Sequence, residues 1–324
     1  MTRRLLALIA FALLAPGTAS SQNAPAAFSG QTVRLVVPFT PGASTDVTAR
    51  LFAQKLSQAM GVQMIVENRG GAGGSLGADT VAKAAPDGTT LLATNQGPFL
   101  QNALLRKDSP FEVGDFAPVA YIGYSPLIVV AHPDAPAKNL RELLAYGKAN
   151  PGKVTLGSSG VNSNLHVAIE MLRASTGVEL VHVPYRGTGP ALNDVVAGTI
   201  TGALTTTVSA EGLIKSSQIK VLGVAGPKRL DVIPDVPTFR ELGITDCDAE
   251  VWIGIVAPAK TPQPLIDRVN AEVNKASEAP DVRTRFAQWG LEPGGGTPAD
   301  FQVVIRKEVD RIQALIQSGA LKVQ

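Results

Sequence analysis

The sequence predicts an α/β protein of two lobes, each a mixed, mainly parallel sheet flanked by helices, with two crossing strands as the hinge. Three observations predict it. Short β-branched runs alternate with helical stripes along the first hundred residues, as in α/β sheets with right-handed crossovers. The same layout of strand, glycine- or serine-rich loop, helix and strand recurs after residue 127, without any repeat of sequence. A late apolar run, residues 251–257, can return the chain to the first lobe. The lobes are then residues 30–126 with 252–324, and residues 127–251, crossing near 124–131 and 249–257.

In order, Val33, Arg34, Leu35, Val36 and Val37 form a near-continuous apolar run suited to a buried parallel strand. Residues 46–60 follow as a helix with Ala49, Phe52 and Leu56 on one stripe. Strands at 62–66 and 89–94 flank the glycine loop 70–74 and a short helix to Ala85. In the second set, strands are expected at 127–131, 153–157, 178–183, 201–206 and 219–225. Helices are expected at 140–149, 164–175 and 191–197. Two long helices close the chain, at 262–276 and 301–316, with stripes through Leu265, Val269 and Val273, and through Phe301, Ile305 and Ile312.

Composition narrows the function. The chain has 324 residues and a net charge of +2. No basic cluster with interleaved aromatics occurs, so nucleic acid is not an expected partner. Arg3 and Arg4 precede an apolar stretch to Ala15 that is short for a bilayer span, and small residues follow. This pattern is a secretory signal, residues 1–19, with an alternative cleavage site as far as about residue 27. Export to the periplasm follows, with monomer the default assembly. Cys247 is the single cysteine, which excludes an intramolecular disulfide and a cysteine-zinc site. The three histidines, His132, His166 and His182, show no metal-binding spacing. Neither a metal nor a cofactor is expected.

Four segments can carry chemistry. The first is Phe39, Thr40, Pro41, Gly42, Ala43, Ser44, Thr45 and Asp46, between a buried strand and a helix. Ser44 or Thr45 can cap that helix, and its N-terminus favours a carboxylate or phosphate. An ordinary capped loop explains the spacing equally well, and the Asp46 charge would oppose an anion unless turned aside. The second is residues 70–74 with Gly73. It fails the dinucleotide fingerprint, because Leu76 stands at the last glycine position, and it lacks a phosphate-loop Lys. A flexible loop near a cleft and a plain turn both remain. The third holds Ser158, Ser159, Asn162, Ser163 and His166, again between strand and helix, rich in hydroxyl and amide donors. Val161 breaks a nucleophile elbow, which favours binding or capping over catalysis. The fourth is Tyr185 and Arg186, a cleft wall and a positive contact, or a half-buried Tyr and a surface Arg.

Together these segments resemble the tripartite tricarboxylate transporter substrate-binding proteins, the Bug family. The carrying stretches are Val36–Phe39 with Pro41–Asp46, Val66–Gly74, Ala82–Gly88, Gly157–Gly160, His182–Gly187, Asp235–Thr238, and Trp252 with Gly254, Ala257 and Pro258. They span the mature chain in order. The resemblance implies a type II-like periplasmic binding protein whose two lobes enclose a small carboxylate, and a two-component integral membrane permease as partner. It implies no catalytic residue, and adds Asn95, Thr205 and Thr206 to the ligand-binding set. Two departures stand out. Ala43 replaces the second glycine of a usual Pro-Gly-Gly, and Thr205 stands where members often carry Asp. A Thr offers an amine no countercharge, so a carboxylate without a free ammonium is the expected ligand. A periplasmic sensor, or a serine hydrolase using Ser159 with His166 or His182, are the alternatives.

Overall fold

The computed structural model describes residues 31–323; the leader expected at residues 1–19 lies outside them. The first run comprises β1 (Thr32–Val37), α1 (Ser44–Met60), β2 (Gln63–Asn68), α2 (Ser75–Ala82), β3 (Thr90–Thr94), α3 (Asn102–Leu105) and β4 (Phe116–Pro126). The chain then crosses to β5 (Ile128–Ala131), α4 (Leu140–Ala149), β6 (Val154–Ser158), α5 (Asn164–Thr176), β7 (Leu180–Pro184), α6 (Thr188–Val196), β8 (Gly202–Thr205), α7 (Thr207–Lys215) and β9 (Lys220–Val224). It returns through β10 (Glu250–Pro258), α8 (Gln263–Ser277), α9 (Pro280–Trp289), β11 (Glu292–Pro293) and α10 (Pro298–Gln317).

Two mixed sheets result, one per lobe, in the order β11-β4-β10-β3-β1-β2 and β7-β6-β8-β5-β9. β1 runs parallel to β2 and β3, and β6 runs parallel to β7 and β8. β10 lies antiparallel between β3 and β4, and β5 antiparallel between β8 and β9. The apolar runs are continuous because both faces of each sheet are covered. Val33, Leu35 and Val37 point to Phe52 and Leu56 of α1, while Val36 points to Ala78 and Val81 of α2. In the other sheet Val129 and Leu204 join α4 and α5, while Ile128 and Ala203 join α6 and α7.

At the crossing, Leu127 N–H donates to the Ala249 carbonyl at 2.9 Å, Ala249 N–H to Ala225 at 2.8 Å, and Ala225 N–H to Leu127 at 2.8 Å. These bonds anchor both crossing strands, still paired at Glu250 and Pro126, to the second sheet. Several elements go beyond the sequence reading. β4 escapes it because Pro118, Gly123 and Pro126 interrupt its pattern, and its ladder with β10 carries two register shifts. The strand expected to reach Thr206 ends at Thr205, and Thr206 caps α7; neither α7 nor α9 shows a clear stripe in the sequence.

Candidate functional site

The helices α1, α5, α6 and α7 each begin at the carboxyl end of a parallel strand, the edge where open α/β sheets bind ligands. In this chain those edges of the two sheets face one another. Between them lies a small, tight cavity. The first lobe lines it with Phe39, Ala43, Ser44, Thr45 and Asn95, the second with Ser159, Asn164, Leu165, Thr188, Thr205, Thr206 and Ser209; Val251 sits at the hinge. No Asp, Glu, Lys, Arg or His lines it. Its polarity comes from hydroxyls, amides and the first turns of four helices, whose N-termini carry partial positive charge.

The local sequence sets each wall. Ala43, the residue before α1, has no side chain to cap the helix, so the capping expected of Ser44 or Thr45 does not occur. Both instead lie in the first turn and face the cavity. Asn95 donates from Nδ2 to Thr45 Oγ1 at 3.3 Å and accepts from Gly97 N–H at 3.0 Å, which fixes the Thr45 hydroxyl. α6 also lacks a side-chain cap, whereas Ser163 and Thr206 cap α5 and α7. Thr205 Oγ1 is fully buried and has no hydrogen-bond partner within the protein.

Asp46 is turned aside. Its Oδ2 accepts from Gly42 N–H at 3.0 Å and Arg50 Nε at 3.2 Å, and its Oδ1 accepts from Asn68 Nδ2 at 2.7 Å. The carboxylate ties the loop of Thr40, Pro41 and Gly42 to the helix behind it, with Arg50 as countercharge. Thr40, Pro41 and Gly42 form the outer part of that loop and do not line the cavity. Gly73 lies in the seam between lobes, with Asn102 Nδ2 donating to its carbonyl at 3.1 Å. Tyr185 turns into its own lobe, its hydroxyl donating to Asp194 Oδ2 at 2.5 Å, and burial with that carboxylate pushes the phenol up to about 12. Arg186 points to solvent. Neither therefore forms the wall or the positive contact expected of it: the Tyr185 side chain is held by Asp194 and the Arg186 side chain lies in solvent, while Gly187 beside them packs on Thr40 of the first lobe.

Ser158, Asn162, Ser163 and His166 shape the third loop from behind. Ser158 Oγ meets His182 Nε2 at 2.6 Å and accepts from Gly160 N–H at 3.1 Å. His166 Nδ1 accepts from Asn162 N–H at 3.1 Å, and the two imidazoles stack at 4.1 Å. The Ser–His contact thus falls on buried Ser158, outside the cavity, and Ser159, which does line it, makes no such contact. Thr188, Ser209 and Val251 are not legible as site residues: Thr188 follows a loop whose large polar residues draw the attention, Ser209 lies in the first turn of a helix whose loop carries no motif, and Val251 reads as a core strand position. Among the described residues no cluster of three or more His, Cys, Asp or Glu could hold a metal ion, and no helix is long and apolar enough to cross a membrane.

The His pair gives a pH prediction. Burial, then the neighbouring His166 ring, lowers His182 to about 4. A base kept neutral in the fold but not in the unfolded chain stabilises fully above its ordinary value near 6.5, and that stability is lost as pH falls toward 4. Glu170, held at about 2 first by its bond to His166, loses its contribution only below about pH 4.5. Between pH 6.5 and 4.5 the melting temperature should therefore fall, and His182→Gln should flatten that slope. Identical slopes in thermal melts of the two proteins would contradict this origin.

A sequence profile of the tripartite tricarboxylate transporter family receptors matches residues 48–321. Protein BugT of Bordetella pertussis is 32% identical over 99% of both chains. The structure of the periplasmic binding protein BugD superimposes with a TM-score of 0.86 at 31% identity, covering 90% of this chain and 99% of that one. MatC from Rhodopseudomonas palustris, with bound malate, gives a TM-score of 0.84 at 31% identity, covering 88% and 98%.

Proposed function

Because the chain belongs to the tripartite tricarboxylate transporter family receptors, we propose that it is a periplasmic receptor that closes over a small carboxylate without a free amine and hands it to a two-component membrane permease. The observation that carries this is the interlobe cavity, where four helix N-termini and a ring of hydroxyls converge with no charged side chain. Such a site attracts an anion. It offers nothing to balance an ammonium, which would face the positive ends of the helices. Phe39, Leu165 and Val251 provide apolar walls for the methylenes of a short acid. MatC's malate is an acid of this class.

Closure needs no chemistry, only tighter binding to the closed form. Moving a two-state equilibrium from 1:99 to 99:1 takes roughly 5.5 kcal/mol of differential affinity. Two or three charge-assisted hydrogen bonds of about 1.5–3 kcal/mol each supply that. The reading makes the chain a carrier and not an enzyme: the ligand leaves unchanged. The division into two bodies at 126/127 and 251/252 is part of the proposal.

Trp289 reports the event. It belongs to the first lobe, yet its Nε1 donates to Glu211 Oε2 at 3.2 Å and its carbonyl accepts from Thr207 Oγ1 at 2.5 Å, both in α7 of the second. Trp252 is buried within the first lobe. Titration with C4 to C6 dicarboxylates should shift the tryptophan emission saturably, and Trp289→Phe should remove the shift. At a hundredfold excess over Kd the melting point should rise by roughly 5–10 °C. No response to any dicarboxylate would overturn the receptor reading, and tight binding of glutamate would overturn its amine-free clause.

A further inference from the structure

We infer that the lobes close on a seam of bare backbone, and that Gly187 is a positioning residue whose missing side chain sets how far they can close. This rests on the receptor reading but concerns contacts that touch no ligand. Five glycines from the loops around the cavity meet the opposite lobe. A Cβ on Gly73 would stand 2.1 Å from the Val161 carbonyl oxygen, and one on Gly160 would stand 3.0 Å from Gly73 Cα. A Cβ on Gly97 would lie 3.0 Å from Asn164 N, and one on Gly70 would lie 3.2 Å from the Arg186 carbonyl oxygen. On Gly187 it would stand 2.1 Å from Thr40 Oγ1, 3.1 Å from Thr40 Cβ and 3.2 Å from Thr40 N.

Gly187 separates this role from ordinary glycine roles. Gly73, at φ 63°, also needs its left-handed turn, so its substitution would confound strain with closure. Gly187 has φ 163°, extended backbone open to any residue. The three atoms nearest its absent Cβ all belong to Thr40 of the other lobe, so its own lobe makes no closer demand. The seam explains the two segments that the cavity leaves unused. The glycine loop 70–74 and the turn after Tyr185 let main chain approach main chain, which brings the helix N-termini of both lobes within reach of one small anion.

Apparent affinity scales with the fraction of protein able to close. A methyl at 187 should therefore weaken malate binding by roughly tenfold to a hundredfold. The loss should lie in faster release, because the open form that meets the ligand is unchanged, and the free protein should melt at its usual temperature. The test is a double-mutant cycle of Gly187→Ala with Thr40→Gly, read by malate calorimetry and stopped-flow. In the Thr40→Gly background the alanine should cost less than about threefold. An equal penalty in both backgrounds, or a lowered melting point of free Gly187→Ala, would overturn the inference.

A second arm needs no ligand. The 3.1 Å between the added Cβ and Thr40 Cβ is shorter than the roughly 3.5–4.5 Å a disulfide spans, so a small opening of the seam brings the pair into bonding range. Thr40→Cys with Gly187→Cys should cross-link under mild oxidation in free protein, while buried Cys247 stays out of exchange. Absence of the cross-link would mean the two turns do not meet in solution. If wild-type protein binds no acid but the cross-link forms, the receptor reading fails while the seam stands.

Discussion

Asp46→Ala should lower carboxylate affinity by at least roughly tenfold and cost about 2–3 kcal/mol of stability, although it removes a negative charge beside an anion site. Two effects compete. Removing the charge leaves Arg50 unpaired near the start of α1, which attracts an anion; but that side chain is 51% exposed, so screening limits the gain to about 1 kcal/mol or less. Removing the carboxylate also frees the Gly42 amide and the Asn68 side chain, and the loop before α1 loses its tether. The tether is worth more, because the Asp46 side chain is only 3% exposed and its hydrogen bonds are charge-assisted. Asp46→Asn separates the two: it keeps an acceptor for Gly42 and loses the charge, so it should bind within about threefold of wild type. Tighter binding by both variants, in calorimetry with a dicarboxylate, would mean that repulsion dominates.

The same residue shows what the sequence made legible. The strand-loop-helix order was readable, because apolar runs of five bounded by proline or glycine leave few alternatives. That placed loops at 38–46, 70–74 and 157–166 at helix starts. Which atoms face the ligand was not readable. Asp46 looked like an obstacle because a lone carboxylate in a loop gives no sign of the Asn68 and Arg50 that engage it, from a separate strand and from one turn further along the helix. Tyr185 and Arg186 looked like ligand contacts because they are large and polar, but it is the neighbouring Gly187 that meets the other lobe, and a glycine carries no chemical signal. Thr188, Ser209 and Val251 enter the cavity only through the relative placement of the lobes, a long-range fact that no local pattern encodes. β4, α7 and α9 were missed for other reasons. Proline and glycine break β4's pattern; α7 is short and weakly striped; α9 is largely polar outside Val282, Phe286 and Trp289.

Thr205→Asp should abolish carboxylate binding at pH 7.5, with a loss above about a hundredfold. Thr205 is fully buried, its hydroxyl is unpartnered, and the cavity around it holds no charge of either sign. Two like charges about 5 Å apart repel by roughly 3 kcal/mol at an effective dielectric near 20, a factor of more than a hundred. A carboxyl buried beside a bound anion takes up a proton more readily than one in water, since desolvation and like charge both disfavour ionisation. Acidification to pH 5 should therefore restore part of the affinity, and a simple packing defect would not respond in that way. Thr205→Val is the counterpart, nearly equal in shape and without the hydroxyl. If Thr205 donates to the ligand, valine should cost about five- to tenfold, far less than Asp. The Asp variant should also begin to bind amine-bearing acids such as glutamate, because a carboxylate in the cavity supplies the countercharge that the threonine lacks. Should Thr205→Asp bind dicarboxylates as wild type does at pH 7.5, the charge-free cavity is not where the anion goes. The four helix N-termini would then serve only to cap the two lobes.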